Sequence, residues 1–208
     1  MPHRTYLDPY RRSHARHGPA FEVTLWASRQ SQELRFRVFS EMCFLAGKRI
    51  LDAGCSRGDL AVWLHQHHIA FARYIGLDAL GEVIEFARQR ADLAGLPVEF
   101  HVTDPLAEPA ALGTHRPQII AVSGTLNTMT QEHAVEFLGH CWAHASEALI
   151  FNFLSDRCGP LAPPQADPAR RLPLMKLLDW ALTRTSQIVL RQDYFPHGHD
   201  ATILMRKA

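Results

Sequence analysis

The chain of 208 residues has only four cysteines, Cys43, Cys55, Cys141 and Cys158, and no two of them form a CxxC pair. A disulfide framework or a zinc knuckle needs close, repeated spacings, so both are excluded and reduced thiols are expected. Long apolar runs are missing as well. Hydrophobic residues make up 47% of the chain, yet no stretch approaches the ~18 continuous apolar residues of a membrane span. The opening segment MPHRTYLDPYRRSHARHG is polar and lacks the apolar core of a secretory signal. Charge of one sign is also scarce: 22 Lys+Arg against 21 Asp+Glu leaves +1. That balance offers no electrostatic case for nucleic acid or a membrane surface as partner. Internal repeats and coiled-coil heptads are absent. What remains is a chain expected to be cytoplasmic. At roughly 150 residues per domain it should hold one domain with an appendage.

What is present is an alternation. RILDAG (49–54), YIGLD (74–78), VEFHV (98–102), QIIAVS (118–123) and EALIFNF (147–153) have the length and composition of strands. Between them lie amphipathic stretches. DLAVWLHQHH places Leu60, Trp63 and Leu64 on one helical face, with Asp59 as its expected cap. GEVIEFARQRADLAG (81–95) predicts a helix closed by Gly95, and QEHAVEFLGHCWAHA (131–145) a further one. Strands alternating with helices imply βαβ units and a parallel sheet covered on both faces. A ligand is then expected beyond the carboxyl ends of the strands, where the strand order reverses.

Residues 157–173 hold five of the thirteen prolines and read as a mobile connection, a lid over the site. The helix LMKLLDWALTR (174–184) follows. SQIVLRQDY and DATILMRK are then separated only by FPHGH. So short a link forces an antiparallel hairpin, since a parallel crossover needs a dozen or more residues. The predicted fold class is therefore α/β, a doubly wound, mostly parallel seven-stranded sheet with an antiparallel last strand.

The segment ILDAGCSRGDL (50–60) carries the chemistry. Asp52 closes the first strand, Gly54 and Gly58 lie in the turn, and a helix follows. The glycines permit positive φ and close approach of the backbone to a ligand. An acid at the strand end would repel a diphosphate and support a cation, and no phosphate-cradling GxxxxGK[ST] is present. Asp78 ends the second strand, 20 residues after Gly58, a spacing at which an acid reaches ribose hydroxyls. Asp104 follows the third strand, although an Asp before Pro105 also reads as a turn residue.

These motifs resemble those of the class I S-adenosylmethionine-dependent methyltransferases, whose first motif is [DE]-x-G-x-G-x-G. Asp52, Gly54 and Gly58 match it, and Ser56 stands where the middle glycine usually is. The resemblance covers residues 45–155 and extends to the final hairpin. It implies S-adenosylmethionine as cofactor, held by Asp52, Gly54, Cys55, Ser56 and Gly58, with Asp78 and Ala79 at the ribose. It further implies Thr103 and Asp104 at the adenine, and Ser123 and Gly124 where cofactor and acceptor meet. SGTLN (123–127) replaces the [DN]-P-P-[YF] of enzymes that methylate planar amines, so that subtype is not expected. Acids for a catechol-type metal are too sparse, and no metal site is read from the sequence.

Residues 1–44 read as an N-terminal helical extension and 45–208 as the methyltransferase domain. The pattern Trp26-x-Ser28-x-x-x-Gln32-x-x-Arg35-Phe36 resembles the extension of a bacterial branch of the family, in which it packs over the cofactor as a lid. Arg35 or Gln32 is expected at the methionine carboxylate, which a guanidinium can clamp with two bonds. Arg35 also reads as a surface arginine. Tyr6, Tyr10, Trp26, Asn127 and Asn152 are expected at the substrate, with Trp26 equally a core anchor.

Displacement at a sulfonium demands alignment and desolvation, with a base only where the nucleophile must lose a proton. The FPHGH loop lies at the cofactor edge of the sheet, which makes His197 and His199 the candidate bases; it reads as well as a solvated turn. His140 and His144, four residues apart, read as exposed helical histidines. The expected reaction is methyl transfer to O or N of a small-molecule acceptor. A binding module without transferase activity, or other chemistry with the same cofactor, are the alternatives.

Overall fold

In a computed structural model, residues 5–207 are described. Seven strands form one sheet: β1 (Arg49–Ala53), β2 (Arg73–Asp78), β3 (Val98–Val102), β4 (Ile119–Val122), β5 (Ala148–Leu154), β6 (Ile188–Arg191) and β7 (Asp200–Arg206). Their spatial order is β3-β2-β1-β4-β5-β7-β6. β7 runs antiparallel to both of its neighbours, and the other pairings are parallel. The order reverses between β1 and β4. There the crossovers diverge and leave a crevice at the strands' carboxyl ends.

Alternation along the strands builds two cores. Leu51, Ile75, Ile120, Leu149 and Ile203 face one side, where they meet Phe137 and Leu138 of α6 (Gln131–His144) and Leu177 of α7 (Leu174–Leu182). Ile50, Tyr74, Ile119, Ile150 and Leu204 face the other. They pack on Phe36 and Phe39 of α2 (Arg29–Met42) and on Leu60 and Leu64 of α3 (Asp59–Gln66). Each fully buried side chain of this size contributes about 1.5–3 kcal/mol. The N-terminal segment, with α1 (Asp8–His17) and α2, feeds both cores: Tyr6, Leu7 and Val23 join the first and Phe36 to Met42 the second.

Two local expectations are corrected. The helix expected over 81–95 stops as α4 (Gly81–Arg88), and a short 3-10 turn, Ala91–Leu93, replaces its second half. Arg90 leaves helical geometry there (φ −66°, ψ 118°). Its guanidinium bonds Asp92 at 2.9 Å and Asp59 at 2.5 Å, contacts unavailable from within a helix. Asp59 accordingly does not cap α3. Gly58 occupies the cap position, and Asp59 sits in the first turn, paired with Arg90.

Candidate functional site

A cavity opens at the crevice between β1 and β4. Its wall combines the loops after β1, β2, β3 and β4 with the N-terminal segment and α2. Four carboxylates, Asp52, Asp59, Asp78 and Asp104, line it, and no lysine, arginine or histidine among the described residues does. Such a wall suits a cation and repels phosphates.

Asp52, Asp78 and Asp104 stand at strand ends, and Asp59 in the first turn of α3. Asp78 accepts the backbone N–H of Ser56 at 2.9 Å and of Leu80 at 3.0 Å, and burial still pushes its carboxyl above the usual range. Asp104 accepts the Tyr6 hydroxyl at 2.6 Å and the Leu106 N–H at 3.1 Å. Asp52 accepts the Tyr74 hydroxyl at 2.5 Å through Oδ2. Its buried Oδ1 has no protein partner. Burial raises the Asp52 carboxyl to about 7, with Asp78 and Asp59 adding to the rise against the Tyr74 hydrogen bond.

The turn after β1 has the shape a ligand needs. Ser56 adopts φ +46°, so serine takes the left-handed conformation expected of the missing glycine. Gly54 (φ +87°) lies so close to Thr125 that any β-carbon would collide with its side chain. Thr125 is fixed in turn by its hydroxyl, which donates to the Ala53 carbonyl at 3.0 Å. The loop after β4 is held from below, where Asn152 accepts the Gly124 N–H at 2.9 Å and donates to Ser123 at 3.2 Å.

A second cavity shares Tyr10, Thr24, Trp26 and Gly124 with the first. Its other walls come from Asn127, Arg35, Phe195, His199 and the proline-rich segment 163–169. Arg35 does not line the first cavity. Its guanidinium donates through Nε and Nη2 to Asp200 and through Nη1 to the Ser31 carbonyl at 2.7 Å. It is also sandwiched between the rings of Trp26 and Phe195 at 4.4 and 4.5 Å. Both members of the ion pair are buried. Three of its five N–H groups are thus committed within the protein, outside the first cavity where the methionine carboxylate is expected.

Of the other expected cofactor residues, Gln32, Cys55, Ala79, Ser123 and Gly124 line the first cavity. Thr103 lies outside its wall, where its N–H bonds the Asp78 carbonyl at 2.8 Å. Gly58 supports the turn, since a β-carbon there would meet Phe100 at 2.7 Å. Among the expected substrate residues, Tyr10 and Trp26 line both cavities, Asn127 the second, and Tyr6 the first. Asn152 lines neither; it is fully buried beneath the β4 loop, which corrects its assignment. His199 lines the second cavity, with a buried Nδ1 that has no hydrogen-bond partner. Burial holds its imidazole below the usual range. His197 lines neither. Sequence reasoning missed Thr125, Asp59, Met129 and Phe137 on the first wall and Phe195 on the second. Only Phe195 carried a signal, as an apolar residue within the polar hairpin loop.

Residues 50–147 match the sequence model of a family described as a methyltransferase domain. That stretch, from β1 to the start of β5, is thus matched to a methyltransferase domain, in line with the resemblance of its motifs. The fold agrees. Magnesium protoporphyrin IX methyltransferase from Synechocystis, solved with S-adenosylhomocysteine, superposes with a TM-score of 0.65 at 19% identity, covering 99% of this chain and 95% of that one. A methyltransferase from Archaeoglobus fulgidus gives 0.65 at 14% identity, covering 90% and 98%. A small RNA methyltransferase gives 0.68 at 14% identity, covering 86% of this chain and 25% of its own. No curated protein sequence matches. No helix among the described residues is long and apolar enough to cross a membrane.

The residues of this methyltransferase fit S-adenosylmethionine. The unpartnered Asp52 Oδ1, the four-carboxylate wall and the space kept at Gly54 suit a ligand bearing a sulfonium and an amine. Once bound, that cofactor supplies an electrophilic methyl group.

Proposed function

We propose that the enzyme transfers the methyl group of S-adenosylmethionine to an oxygen or nitrogen of a small-molecule acceptor seated in the second cavity. The observation that carries this reading is the wall shared by the two cavities, Tyr10, Thr24, Trp26 and Gly124. A methyl group crossing it travels only the short, aligned path of a displacement reaction. In this reading Asp78 holds the ribose, Asp104 the adenine, and Gln32 with the backbone of the β1 turn the methionine end. The N-terminal segment and α2 close over the cofactor.

His199 is the general base. A neutral imidazole in a cavity wall, with a ring nitrogen lacking a protein partner, is suited to take the proton that an attacking hydroxyl or amine must lose. Trp26 and Phe195 offer rings on which a planar acceptor can stack. A small molecule, and not nucleic acid, is favoured by the near-zero net charge, since neutralising phosphates requires a basic surface.

The test has two stages. Calorimetric titration with S-adenosylmethionine and S-adenosylhomocysteine should show binding that Asp78→Ala weakens or abolishes. Formation of S-adenosylhomocysteine is then followed against panels of phenols, carboxylic acids and amines, with tRNA as a separate arm. Turnover of one small-molecule class, depressed by His199→Gln and not by His197→Ala, is the expected result. Turnover confined to tRNA, or an unaltered rate in His199→Gln, overturns the acceptor or the base respectively.

A further inference from the structure

We propose that Glu99, His101 and His115 form a zinc site at the free edge of the sheet, apart from the residues that line the two cavities. Glu99 and His101 are two residues apart on β3, so their side chains leave the same face of that edge strand. His115 arrives from a distant part of the fold. It ends the short helix α5 (Ala111–Thr114), on the path into β4, and β4 lies two strands inward from β2. The spacing of these residues in the sequence is not that of a metal motif; the sheet brings them together.

The geometry is that of a nearly assembled ligand set. One donor atom from each residue lies within 4.8 Å of the other two. Glu99 Oε2 stands 3.4 Å from His101 Nε2 and 3.9 Å from His115 Nδ1. Donors bound tetrahedrally at ~2.0–2.1 Å lie about 3.3–3.4 Å apart, so one contact is already at that spacing and the others close by small side-chain rotations. His101 Nε2 is buried and, beyond its loose 3.4 Å approach to Glu99, makes no well-formed hydrogen bond, a state that a cation would relieve. The two imidazole rings pack at 4.8 Å between centroids, tilted by 31°, without a hydrogen bond joining them.

Arg73 completes the arrangement. Its Nε donates to Glu99 Oε1 at 2.7 Å, which leaves Oε2 directed at the histidines. A carboxylate ligand oriented through its second oxygen is a common outer support of metal sites. Two imidazoles and one carboxylate suit zinc among biological divalent cations, with water in the fourth position. The half-open setting, with His101 and Glu99 40% and 35% exposed, leaves room for that water.

Such a site would act as a clasp. The chain between His101 and His115 carries Asp104 and Pro105 of the cofactor cavity. Fixing both ends of that segment stiffens the cavity's wall without touching its ligand.

The experiment uses tag-free protein freed of metal by chelation, with cobalt(II) and zinc chloride as probes. Wild-type protein should bind one cobalt ion with the intense visible absorption of a four-coordinate site, and zinc should displace it. His115→Ala and Glu99→Gln should each weaken zinc binding at least about tenfold. Both variants should keep a cooperative urea transition without metal, so that lost binding is not lost folding. Zinc should tighten S-adenosylhomocysteine binding at least about fivefold in the wild type and not in His115→Ala. Six-coordinate cobalt spectra, or affinities equal in wild type and both variants, would assign the binding to other surface histidines and overturn the site. Specific zinc binding with no change in S-adenosylhomocysteine affinity would overturn the clasp.

Discussion

Replacing Asp52 by asparagine keeps the side chain's shape and removes its charge, and the cost of that charge can be read from the structure. Burial raises the carboxyl from the ordinary 3.8 to about 7. A difference of roughly three units corresponds to about 4 kcal/mol between the folded enzyme with Asp52 protonated and with it ionised. Below about pH 4 the carboxyl is protonated in folded and unfolded chains alike, and this stability is fully present. As the pH climbs towards 7 the unfolded chain has given up its proton while the native one holds it. Stability then falls by about 1.4 kcal/mol per pH unit, and the loss is complete above the folded value.

Urea unfolding of wild type and Asp52→Asn between about pH 5 and 8 measures this slope. The wild type should lose about 2–3 kcal/mol more than the variant over that range. Asp78, also raised by burial, titrates in both proteins, so the difference between the curves reports Asp52 together with its coupling to Asp78. Parallel curves would refute the reasoning and place Asp52 in a wetter setting than its burial indicates. A sulfonium beside Asp52 should reverse the shift. Binding of S-adenosylmethionine near pH 7 should then release more protons than binding of neutral S-adenosylhomocysteine. Calorimetry in two buffers of different ionisation enthalpy reads that difference, and equal release would separate Asp52 from the sulfonium.

Three further outcomes are expected. Arg35→Met and Asp200→Asn should each cost about 3–5 kcal/mol in urea unfolding, because either leaves a buried polar partner stranded. The double variant should cost clearly less than their sum, and additivity would show that the two residues act separately. Gly54→Ala should abolish S-adenosylhomocysteine binding in calorimetry, and adding Thr125→Ala, which removes the colliding Oγ1 and Cγ2, should recover part of it. Tyr6→Phe removes the 2.6 Å hydrogen bond to Asp104 and should weaken S-adenosylhomocysteine binding by about tenfold, the equivalent of ~1.4 kcal/mol. Unchanged affinity would mean that contacts other than the Tyr6 hydroxyl set the orientation of that carboxylate.

The parts of this enzyme written in the sequence are those that depend on local pattern. Each strand announced itself by composition and length, and the acids Asp52, Asp78 and Asp104 by standing at strand ends. The antiparallel β7 followed from a link too short for any other connection. Residues whose role comes from a distant partner were not legible. Arg35 presents a plain helical arginine until β7 brings Asp200 beneath it, 165 residues away. Asn152 looks like a strand-end polar group until the β4 loop settles on it. The break in the helix after Arg88 was hidden for the same reason, since Arg90 leaves the helix to reach Asp59 on another element. Ser56 is a different case: it stands where the family motif has glycine, and the backbone there is left-handed despite the side chain.

The bond between Arg35 and Asp200 also sets the order in which the protein can be completed during synthesis. α2 emerges from the ribosome carrying a guanidinium whose carboxylate partner follows only 165 residues later, with β7. Until then Arg35 has reason to stay in water, and the layer that α2 forms over the sheet cannot settle around it. The second cavity, walled by Arg35, Trp26 and Phe195, therefore comes into being only once β7 is in place. A nascent or truncated chain lacking β7 would hold most of the cofactor cavity and none of the finished second one.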